Sequence, residues 1–521
     1  MKQDYNTSTE DDHLYAAADG HYAMIKETLA SREFGEGSEA DTERWLRIEG
    51  QELLRRLLQS HLTLRGQAQA VVAVVGADDV ERTHVRPGKR RALETTFGQV
   101  DVERTAYAGR GIGALHPVDA GLNLPEAKYS HEVERHVAMS AARLSFDATL
   151  AVLGVLMLAH VPKRQAEQLV LRAARDFEAF YAQTGFEVGS VTSELLMLTF
   201  DQKGVVMRSS DLTEATQKAA KAGRKKQASR RSKGEPSRGR KRMAMVAGVY
   251  TVAPYSRTVN DIINGLCHVR DALPRKRPRP EYKRVWASLQ LAPKQVVAEA
   301  FDEADKRDPR HVKRWLVVVD GDAKLARWVR AEAGRRGIKV TLVLDFIHAL
   351  EYLWRAAHVF FDEGSADIEP WVLERLRWML EGKASTVAAS MTRKATVLGL
   401  DAKTRKPVDT AARYLLKRKE MMRYDELLAL GAPIASGIIE GACRHLINDR
   451  LDVTGARWSL AGAEAVLRLR SLLASGDFDA YWRFHEEEGQ RSHASRYAGA
   501  EVPEVGIVKK RAHLRLVGGV D

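Results

Sequence analysis

Cysteine is scarce in this chain of 521 residues, which contains only Cys267 and Cys443. Two cysteines are too few for a disulfide-stabilised scaffold, and they are also too few for a zinc site built from four cysteines. Disulfides persist in oxidising compartments and are rare where thiols are kept reduced. The low cysteine content therefore predicts a protein of a reducing, intracellular compartment.

Long apolar runs are also missing. No stretch of about 18 consecutive apolar residues occurs, so the sequence predicts no transmembrane helix. The first residues are polar and acidic and lack the apolar centre of a signal peptide. Hydrophobic residues nevertheless make up 45% of the chain, which is typical of a globular protein. The length exceeds one ordinary core, so roughly three domains are expected.

Acidic residues are too few to balance the basic ones. The chain has 82 Lys and Arg against 69 Asp and Glu, a net charge of +13, and this excess predicts a polyanion as partner. Twelve basic residues and one acid, Glu235, lie between Lys218 and Arg242. This composition predicts a disordered loop that binds polyanions, and the alternative is a solvated loop without a partner. The candidate DNA-binding residues of the loop are Arg224, Lys225, Lys226, Arg230, Arg231, Arg240, Lys241 and Arg242.

The patterns along the chain divide it into six segments. They are a helical region suited to oligomerisation or simple packing (1–80), a β-hairpin with a helix-turn-helix-like array (81–190), the first part of an α/β core with its basic loop (191–348), an all-α insertion (349–430), the second part of the core (431–475) and a peripheral C-terminal tail (476–521).

The segment 81–190 carries the signals of a β-hairpin and of a helix-turn-helix-like array. Two alternating runs, Leu93–Phe97 and Val100–Tyr107, predict the hairpin. Three helical stretches follow, and Ser145 is a suitable N-cap for the second. The third, Lys163–Tyr181, resembles the DNA-contacting helix of a helix-turn-helix, and an ordinary bundle with solvated arginines is the alternative. The side chains that it would offer to DNA are Lys163, Arg164, Gln165, Arg172 and Arg175.

The stretch Trp315–Trp354 predicts a strand, a helix and a second strand. Each strand is a continuous apolar run, typical of a parallel strand covered on both faces, and each ends in an aspartate, Asp320 or Asp345. An aspartate at this edge of a sheet either caps the next helix or holds a metal ion. Asp322 competes with Asp320 for these roles, and Asp320 is the preferred ligand because it directly ends the apolar run.

Two further acids occupy comparable positions. Asp201 ends a buried apolar run, and the turn signal Gln202–Gly204 after it predicts a β-hairpin. Glu440 lies in a helix behind a loop that contains Pro and Gly. One such acid alone would indicate a helix cap or a surface carboxylate, but three beside one sheet in a basic chain indicate a Mg²⁺ site. Two such ions about 3.5–4 Å apart can hold the attacking and leaving oxygens of a phosphoryl displacement.

The order of these elements resembles the ribonuclease-H-like core of DDE transposases. That order is a hairpin with the first acid, a strand ending in the second, an α-helical insertion and a helix with the third. The motif Asp345-Phe-Ile-His348 resembles the Asp/Cys-x-x-His motif of Mutator-like enzymes. The segments similar to the catalytic-glutamate region of bacterial insertion-sequence transposases of the Kra type are Pro433–Arg444, Asp449-Arg450 and Gly455–Trp458. The likeness covers most of residues 85–475.

The resemblance implies an α/β ribonuclease-H-like core, a mixed sheet with flanking helices. It further implies an all-α insertion and a mostly helical N-terminal DNA-binding region that contains a β-hairpin. Asp201, Asp320 and Glu440 would be catalytic and would bind two Mg²⁺ or Mn²⁺ ions. Two departures stand out: no Tyr-x-x-Arg-x-x-x-Glu pattern surrounds Glu440, and no N-terminal zinc-binding cysteines are present. Recognition of DNA ends would therefore fall to helices and basic loops.

The resemblance also implies roles for residues around the three acids. His348 would be a further catalytic residue, with a satisfied core histidine as the alternative. Asp345 and Asp322 would be accessory. Arg444 would steer a DNA phosphate, or it would simply pair with Glu440 one helical turn away.

The implied activity is Mg²⁺-dependent cleavage of DNA at the ends of an insertion element, followed by strand transfer into target DNA. The expected partners are double-stranded DNA, as terminal inverted repeats and as target, and further copies of the chain assembled on paired ends. The expected location is the bacterial cytoplasm, on the nucleoid. Two alternatives stay open: a ribonuclease-H-like nuclease without strand transfer, and a domesticated DNA-binding protein, which the three intact acids disfavour.

Overall fold

The computed structural model describes residues 12–184, 194–218, 241–267, 277–453 and 455–506. The strands are β1 (Gln69–Ala70), β2 (His84–Thr95), β3 (Gly98–Gly109), β4 (Ile112–Leu115), β5 (Leu195–Val206), β6 (Lys241–Val252), β7 (Glu281–Ser288), β8 (Arg314–Val319), β9 (Val340–Leu344) and β10 (Val505–Gly506). The helices up to the middle of the chain are α1 (Asp12–Ala30), α2 (Arg32–Gly35), α3 (Glu39–Gly66), α4 (Pro117–Gly121), α5 (His131–Arg143), α6 (Phe146–Leu156), α7 (Lys163–Ala173), α8 (Phe177–Gln183), α9 (Val259–Leu266) and α10 (Pro293–Arg307). The later helices are α11 (Ala323–Arg336), α12 (Phe346–Phe360), α13 (Ile368–Leu380), α14 (Ala384–Val397), α15 (Lys406–Arg418), α16 (Tyr424–Leu430), α17 (Gly437–Ala442), α18 (Asp449–Leu451), α19 (Leu460–Ser475) and α20 (Phe478–Ala494).

The chain forms two compact units. The first comprises residues 1–180 with 479–521, and the second comprises residues 181–478. Each unit has a sheet of its own, so the chain is a mixed α/β protein, as predicted. No helix among the described residues is both long and apolar enough to cross a membrane.

The sheet of the first unit is antiparallel, in the order β2-β3-β4. Thr95 pairs with Gly98, so the chain reverses through the two residues between them, and Gly98 adopts the positive φ of 111° that favours glycine. One face of this hairpin, which includes Val102, packs against Leu62 of α3. The predicted hairpin is confirmed, and both strands are longer than the sequence pattern indicated.

Helices α5 to α8 differ from the predicted three-helix array in one respect. Ser145 caps α6 as predicted, because its side chain accepts the N–H of Ala148 at 3.1 Å. The predicted third helix is wrong in its length, since α7 ends at Ala173 and α8 begins after a short turn. That turn brings the carboxylate of Asp176 to 2.6 Å from His485 of α20. A long-range contact of this kind leaves no periodic signal in the sequence.

Several cations of the third predicted helix are engaged within the first unit. Arg172 donates to both carboxylate oxygens of the buried Glu134, at 3.0 and 2.9 Å. Lys163 lies 2.8 Å from Asp147, and Arg175 lies 3.2 Å from its neighbour Asp176. Arg172 in particular is a packing residue, because breaking its pair would leave a buried carboxylate uncompensated.

The expectation of a peripheral C-terminal tail is wrong for α20. Tyr481 is fully buried, and its hydroxyl donates to the carbonyl of Ala173 at 2.7 Å. His485, one turn further on, is also buried. The high charge of this helix concealed an aromatic face that belongs to the core of the first unit.

The sheet of the second unit has five strands in the order β7-β6-β5-β8-β9. β6 runs antiparallel to both of its neighbours, β5 and β7, whereas β8 and β9 run parallel to β5. Four successive residues of β5, Leu195–Leu198, are buried, as expected for a strand covered on both faces. The predicted β8–α11–β9 unit is confirmed, and Gly337 ends α11 with a left-handed φ of 69°.

The predicted hairpin at Gln202–Gly204 is wrong, because β5 continues without a turn to Val206. It pairs with β6 along its whole length. Gly204 lies opposite Met243, and a Cβ on it would come 2.8 Å from the Cδ of Lys241. This glycine therefore permits a close approach between strands. The predicted basic loop 218–242 joins β5 to β6, and residues 219–240 lie outside the described residues.

Residues between β9 and α17 are helical apart from short connections. Helices α12 to α16 follow one another there, in agreement with the predicted all-α stretch. Tyr352 of α12 stacks on Tyr414 of α15, with ring centroids 3.8 Å apart. This stacking packs α15 against the helix that continues directly from β9.

Candidate active site

Three strands of the second unit place an acid at the same level of the sheet. Thr199 of β5 and Val318 of β8 form the last pair between these two strands, and Asp201 and Asp320 each follow that pair by two residues. Val319 of β8 pairs with Leu344 of β9, so the next residues, Asp320 and Asp345, are neighbours as well. Residues in register on parallel strands share one face of the sheet. The fold thus aligns three carboxylates that lie far apart in the sequence.

Asp201 lies within β5 at the point where the pairing with β8 ends. One of its carboxylate oxygens accepts the backbone N–H of Gln202 at 2.6 Å. The other accepts the thiol of Cys443 at 3.1 Å. The side chain is half-buried. Asp201 therefore stands at the open edge of the parallel part of the sheet, although β5 itself continues beyond it.

Asp320 and Asp322 divide two roles between them. Asp322 is the N-cap of α11, and its side chain accepts the N–H of Lys324 at 2.8 Å, so the predicted capping role is confirmed. Asp320 accepts the N–H of Asp322 at 2.8 Å with one oxygen. Its other oxygen has no hydrogen-bond donor among the described residues. That oxygen is free for a ligand.

The turn after Asp320 is held by α15 of the helical stretch. The hydroxyl of Tyr414 donates to the Asp320 carbonyl, and Nε of Arg418 donates to the Gly321 carbonyl, both at 2.7 Å. The guanidinium of Arg418 also lies 4.0 Å from the ring centre of Tyr414. Gly321 has a φ of 89°, and a Cβ there would come 2.5 Å from the Tyr414 hydroxyl. Only glycine fits this clamp.

Asp345 is fully buried and accepts three hydrogen bonds. One oxygen accepts the N–H of Ile347 at 2.8 Å, which caps α12. The other accepts both the N–H and the hydroxyl of Ser436, the former at 3.0 Å. Tyr424 donates to the carbonyl of Leu344 just before it, at 2.9 Å. Asp345 therefore ties the end of β9 to the loop from which α17 starts.

Glu440 lies in the first turn of α17, and its N–H donates to the Ser436 carbonyl at 3.1 Å. Partial burial raises the pKa of its carboxyl, Asp345 raises it further, His348 opposes this, and Asp201 adds to it. The Glu440 carboxyl is therefore close enough to Asp345 and Asp201 for their charges to act on its pKa. The helix then continues as a π-helical turn, Cys443–Asn448, a feature that recurs at functional sites.

Cys443 was not singled out from the sequence as a site residue. Burial and the adjacent Asp201 carboxylate raise the pKa of its thiol, so it remains a neutral hydrogen-bond donor. It follows Glu440 by three residues, and residues at this spacing share one helix face. The three-residue spacing from Glu440 was the one feature of the sequence that could have indicated Cys443 as a site residue. Tyr414 and Arg418 had no such signal, because their partners lie in another part of the chain.

The carboxylates of this edge lack ion pairs in the part of the chain that the structure describes. None of Asp201, Asp320, Asp345 and Glu440 forms an ion pair with another residue in the described ranges. Within the same ranges no three His, Cys, Asp or Glu side chains converge on a point suited to a metal ion. The donor set, carboxylate oxygens, fits Mg²⁺ in its chemistry. The carboxylates therefore lie near the same end of the sheet, but in this structure they do not surround a single metal position.

The predicted DNA-binding residues fall into two groups. Arg224, Lys225, Lys226, Arg230, Arg231 and Arg240 lie outside the described residues. Lys241 and Arg242 lie in β6, where Lys241 pairs with Asp452 at 3.1 Å and Arg242 donates to the Leu289 carbonyl at 2.8 Å. Arg444 is exposed, and its nearest acid is Asp449, at 3.7 Å, rather than Glu440.

Comparison with known proteins adds little. No protein-family model matches the chain, and no curated protein matches it. Among solved structures, a Drosophila P element transposase strand transfer complex matches with a TM-score of 0.24 and 10% sequence identity. The match covers 73% of this chain and 84% of that one. A likeness at this level supports no conclusion on fold or activity.

Proposed function

We propose that this chain is a DDE transposase whose catalytic carboxylates are Asp201, Asp320 and Glu440. The observation that carries the proposal is the sheet register, in which Asp201 and Asp320 each follow the last pair of the parallel strands β5 and β8 by two residues. The helix of Glu440 begins at a loop that is bonded to Asp345 on the next strand. These acids form no ion pair with any residue that the structure describes, and carboxylates of this kind can hold the divalent ions that assist DNA chemistry.

We also propose that the second unit is a ribonuclease-H-like core. The elements of that resemblance follow one another in the predicted order. They are a strand with the first acid, a strand ending in the second, a helical insertion and a helix with the third. The first acid is in a continuous strand rather than a hairpin exit, which leaves its position at the sheet edge unchanged.

Asp201, Asp320 and Glu440 would hold Mg²⁺ or Mn²⁺, two ions in all. When bound, such ions stabilise the charge that develops on the attacking and leaving oxygens of an in-line displacement. Tyr414 and Arg418 would keep the Asp320 turn in place, and Asp345 would orient the start of the helix that bears Glu440. His348 would moderate the negative charge around Glu440. No covalent bond between protein and DNA is required.

The substrate would be double-stranded DNA, both as the terminal inverted repeats of an element and as target. The excess of basic over acidic residues supports a polyanionic partner. The resemblance to DDE transposases implies an assembly on paired ends, so we propose a homo-oligomer there. Its place of action would be the bacterial cytoplasm.

The activity test uses DNA that carries the two ends flanking the gene, incubated with the full-length protein and Mg²⁺. Joined products support a transposase. Nicking without joining would instead support a ribonuclease-H-like nuclease, and binding without either would support a domesticated DNA-binding protein. Unchanged cleavage by the Asp201→Ala, Asp320→Ala and Glu440→Ala variants would refute the assignment of the three acids.

The metal site has an independent test that needs no DNA. A metal ion that binds the folded protein and not the unfolded chain raises the free energy of unfolding by about 2.7 kcal/mol when its concentration is 100 times Kd. We expect Mn²⁺ to raise the thermal midpoint of the wild type, and to raise it much less for Asp320→Asn. Equal stabilisation of both proteins would place the ion elsewhere.

A further inference from the structure

The helical stretch after β9 concentrates its positive charge on α14, α15 and their connections. Residues 384–423 contain ten Lys or Arg and three Asp or Glu, a net charge of +7. The preceding residues 346–383 contain four basic and seven acidic residues, a net charge of −3. The excess is therefore a local feature of the α14–α15 pair, and the general charge of the helical stretch does not account for it.

Most of these cations have no internal partner. Of the three acids, Asp409 is taken by Arg405 at 3.0 Å, and Asp401 accepts the N–H of Lys403 at 2.8 Å and caps the local turn. Three further cations are engaged: Arg418 donates to the Gly321 carbonyl, Arg423 pairs with Glu426, and Lys394 lies over the ring of Phe361. The other six basic side chains are exposed and form no ion pair with any residue that the structure describes. They are Arg393, Lys403, Lys406, Arg413, Lys417 and Lys419.

Three of these cations form a stripe along α15. Lys406, Arg413 and Lys417 are separated by seven and four residues, which places them on one face of a helix. From the first to the last, the stripe extends over roughly 16 Å at the helical rise per residue. Arg413 and Lys417 also line an open groove of about 470 Å³ between α14 and α15. The groove is also lined by Thr392, Ala412, Leu416 and Asp409, and the carboxylate of Asp409 pairs with Arg405.

The stripe lies beside the candidate active site. Arg413 and Lys417 each precede by one residue the pair Tyr414 and Arg418, which bind the carbonyls of Asp320 and Gly321. Successive residues point about 100° apart around a helix of roughly 10–12 Å diameter. The cations therefore lie on the face of α15 next to the one that holds the Asp320 turn.

We propose that the α14–α15 groove binds the phosphodiester backbone of double-stranded DNA next to the bond to be cleaved. The inference rests on the proposed function, and it assigns DNA contacts to a surface outside the predicted basic loop. Duplex DNA carries one charge per about 1.7 Å of its axis, so a stripe of this length meets several phosphates. Contacts to phosphates position DNA without reading its sequence, so this groove orients any duplex that enters the site.

The test compares two double variants of the full chain for binding to a fluorescent, mixed-sequence DNA duplex over a series of NaCl concentrations. Arg413→Gln with Lys417→Gln removes two charges of the groove. Arg310→Gln with Arg314→Gln removes two exposed charges at the opposite end of β8. We expect the first pair to raise Kd by about tenfold at low salt and to reduce the salt slope by roughly 2. The second pair leaves both unchanged.

The outcomes separate this inference from the proposed function. Wild-type binding with no loss in the groove variant, or an equal loss in both variants, overturns the groove and leaves the transposase proposal intact. Competition by polyglutamate as effective as that by duplex DNA also overturns it, because an acidic protein would then fit equally well. No DNA binding by the wild type defeats both. Since the changed side chains are exposed, folding is checked by the thermal midpoint, and Lys406→Gln with Lys417→Gln must reproduce the loss.

Discussion

The parallel strands β8 and β9 end alike in sequence and use their aspartates differently. Asp345 follows β9 directly, caps the next helix and is fully buried, with both oxygens bonded to Ile347 and Ser436. Asp320 follows β8, but two more residues precede the next helix, and Asp322 is the one that caps it. Asp320 is half-buried and keeps one oxygen without a donor among the described residues.

The difference shows that acids at the carboxyl ends of neighbouring strands can have different roles, one structural and one in binding a ligand. A carboxylate that caps a helix, anchors a loop and is fully buried is closed to a ligand. After β8 the two extra residues Gly321 and Asp322 leave the capping of the next helix to Asp322. Helix α15 holds the turn through the backbone carbonyls of Asp320 and Gly321, so the Asp320 carboxylate is not used for this purpose. We therefore expect changes at Asp345 to affect stability, and changes at Asp320 to affect activity.

The largest effect on stability is expected from Asp345→Ala. Its removal leaves the N–H of Ile347 and both donors of Ser436 unpaired in a fully buried position, and the expected loss is about 3–5 kcal/mol. Urea unfolding measures the loss. Asp322→Ala is the matched control at the other strand, and it removes only an N-cap worth about 1 kcal/mol. Equal losses in the two variants would contradict the comparison.

Asp320→Asn, in contrast, should lower activity and leave stability nearly unchanged. We expect cleavage of element-end DNA to fall by about 10²–10³-fold, because an amide has lost the charge that a divalent ion requires. The free energy of unfolding should change by less than about 1 kcal/mol at this half-buried position. Asp322→Asn is the control, since asparagine caps a helix as well as aspartate does. A comparable fall in cleavage by that variant would give Asp322 the role assigned here to Asp320.

Gly321→Ala sharpens the role of the clamp. The alanine would carry the penalty of a positive φ and would also press on Tyr414 and Arg418, so we expect a loss of about 2–4 kcal/mol together with reduced cleavage. Gly337→Ala is a matched control between the same two strands. Its φ is also positive, but nothing lies within 4 Å of the added Cβ, so only about 1 kcal/mol should be lost. Urea midpoints that do not differ would rule out a tight clamp.

Local patterns explain how much of this site the sequence revealed. The apolar runs of β8 and β9, the acids that end them and the capping position of Asp322 are all encoded within a few residues. Their prediction therefore needed no knowledge of distant contacts. The turn assigned at Gln202–Gly204 failed because Gly204 serves the packing of a neighbouring strand, to which the local sequence gives no clue.

The support around the acids was beyond reach for a different reason. Tyr414 bonds to a carbonyl 94 residues before it, and Ser436 bonds to Asp345 across 91 residues. A tyrosine in an amphipathic helix looks like any core residue until the fold brings its hydroxyl to a strand end. The level alignment of Asp201 with Asp320 likewise depends on the pairing of β5 with β8, which no local pattern specifies.

The smallest and most selective effect is expected from Tyr414→Phe. The change removes one hydrogen bond to the Asp320 carbonyl, worth about 1 kcal/mol, so cleavage should fall by roughly fivefold to tenfold. The Mg²⁺ concentration needed for half-maximal rate should rise, because the carboxylate is held less firmly. Tyr424→Phe removes the equivalent bond at β9, where the hydroxyl is buried. It should lower stability by about 1–2 kcal/mol and leave the metal dependence unchanged. A shift in metal dependence in both variants, or in neither, would show that the two strand ends are supported for the same purpose.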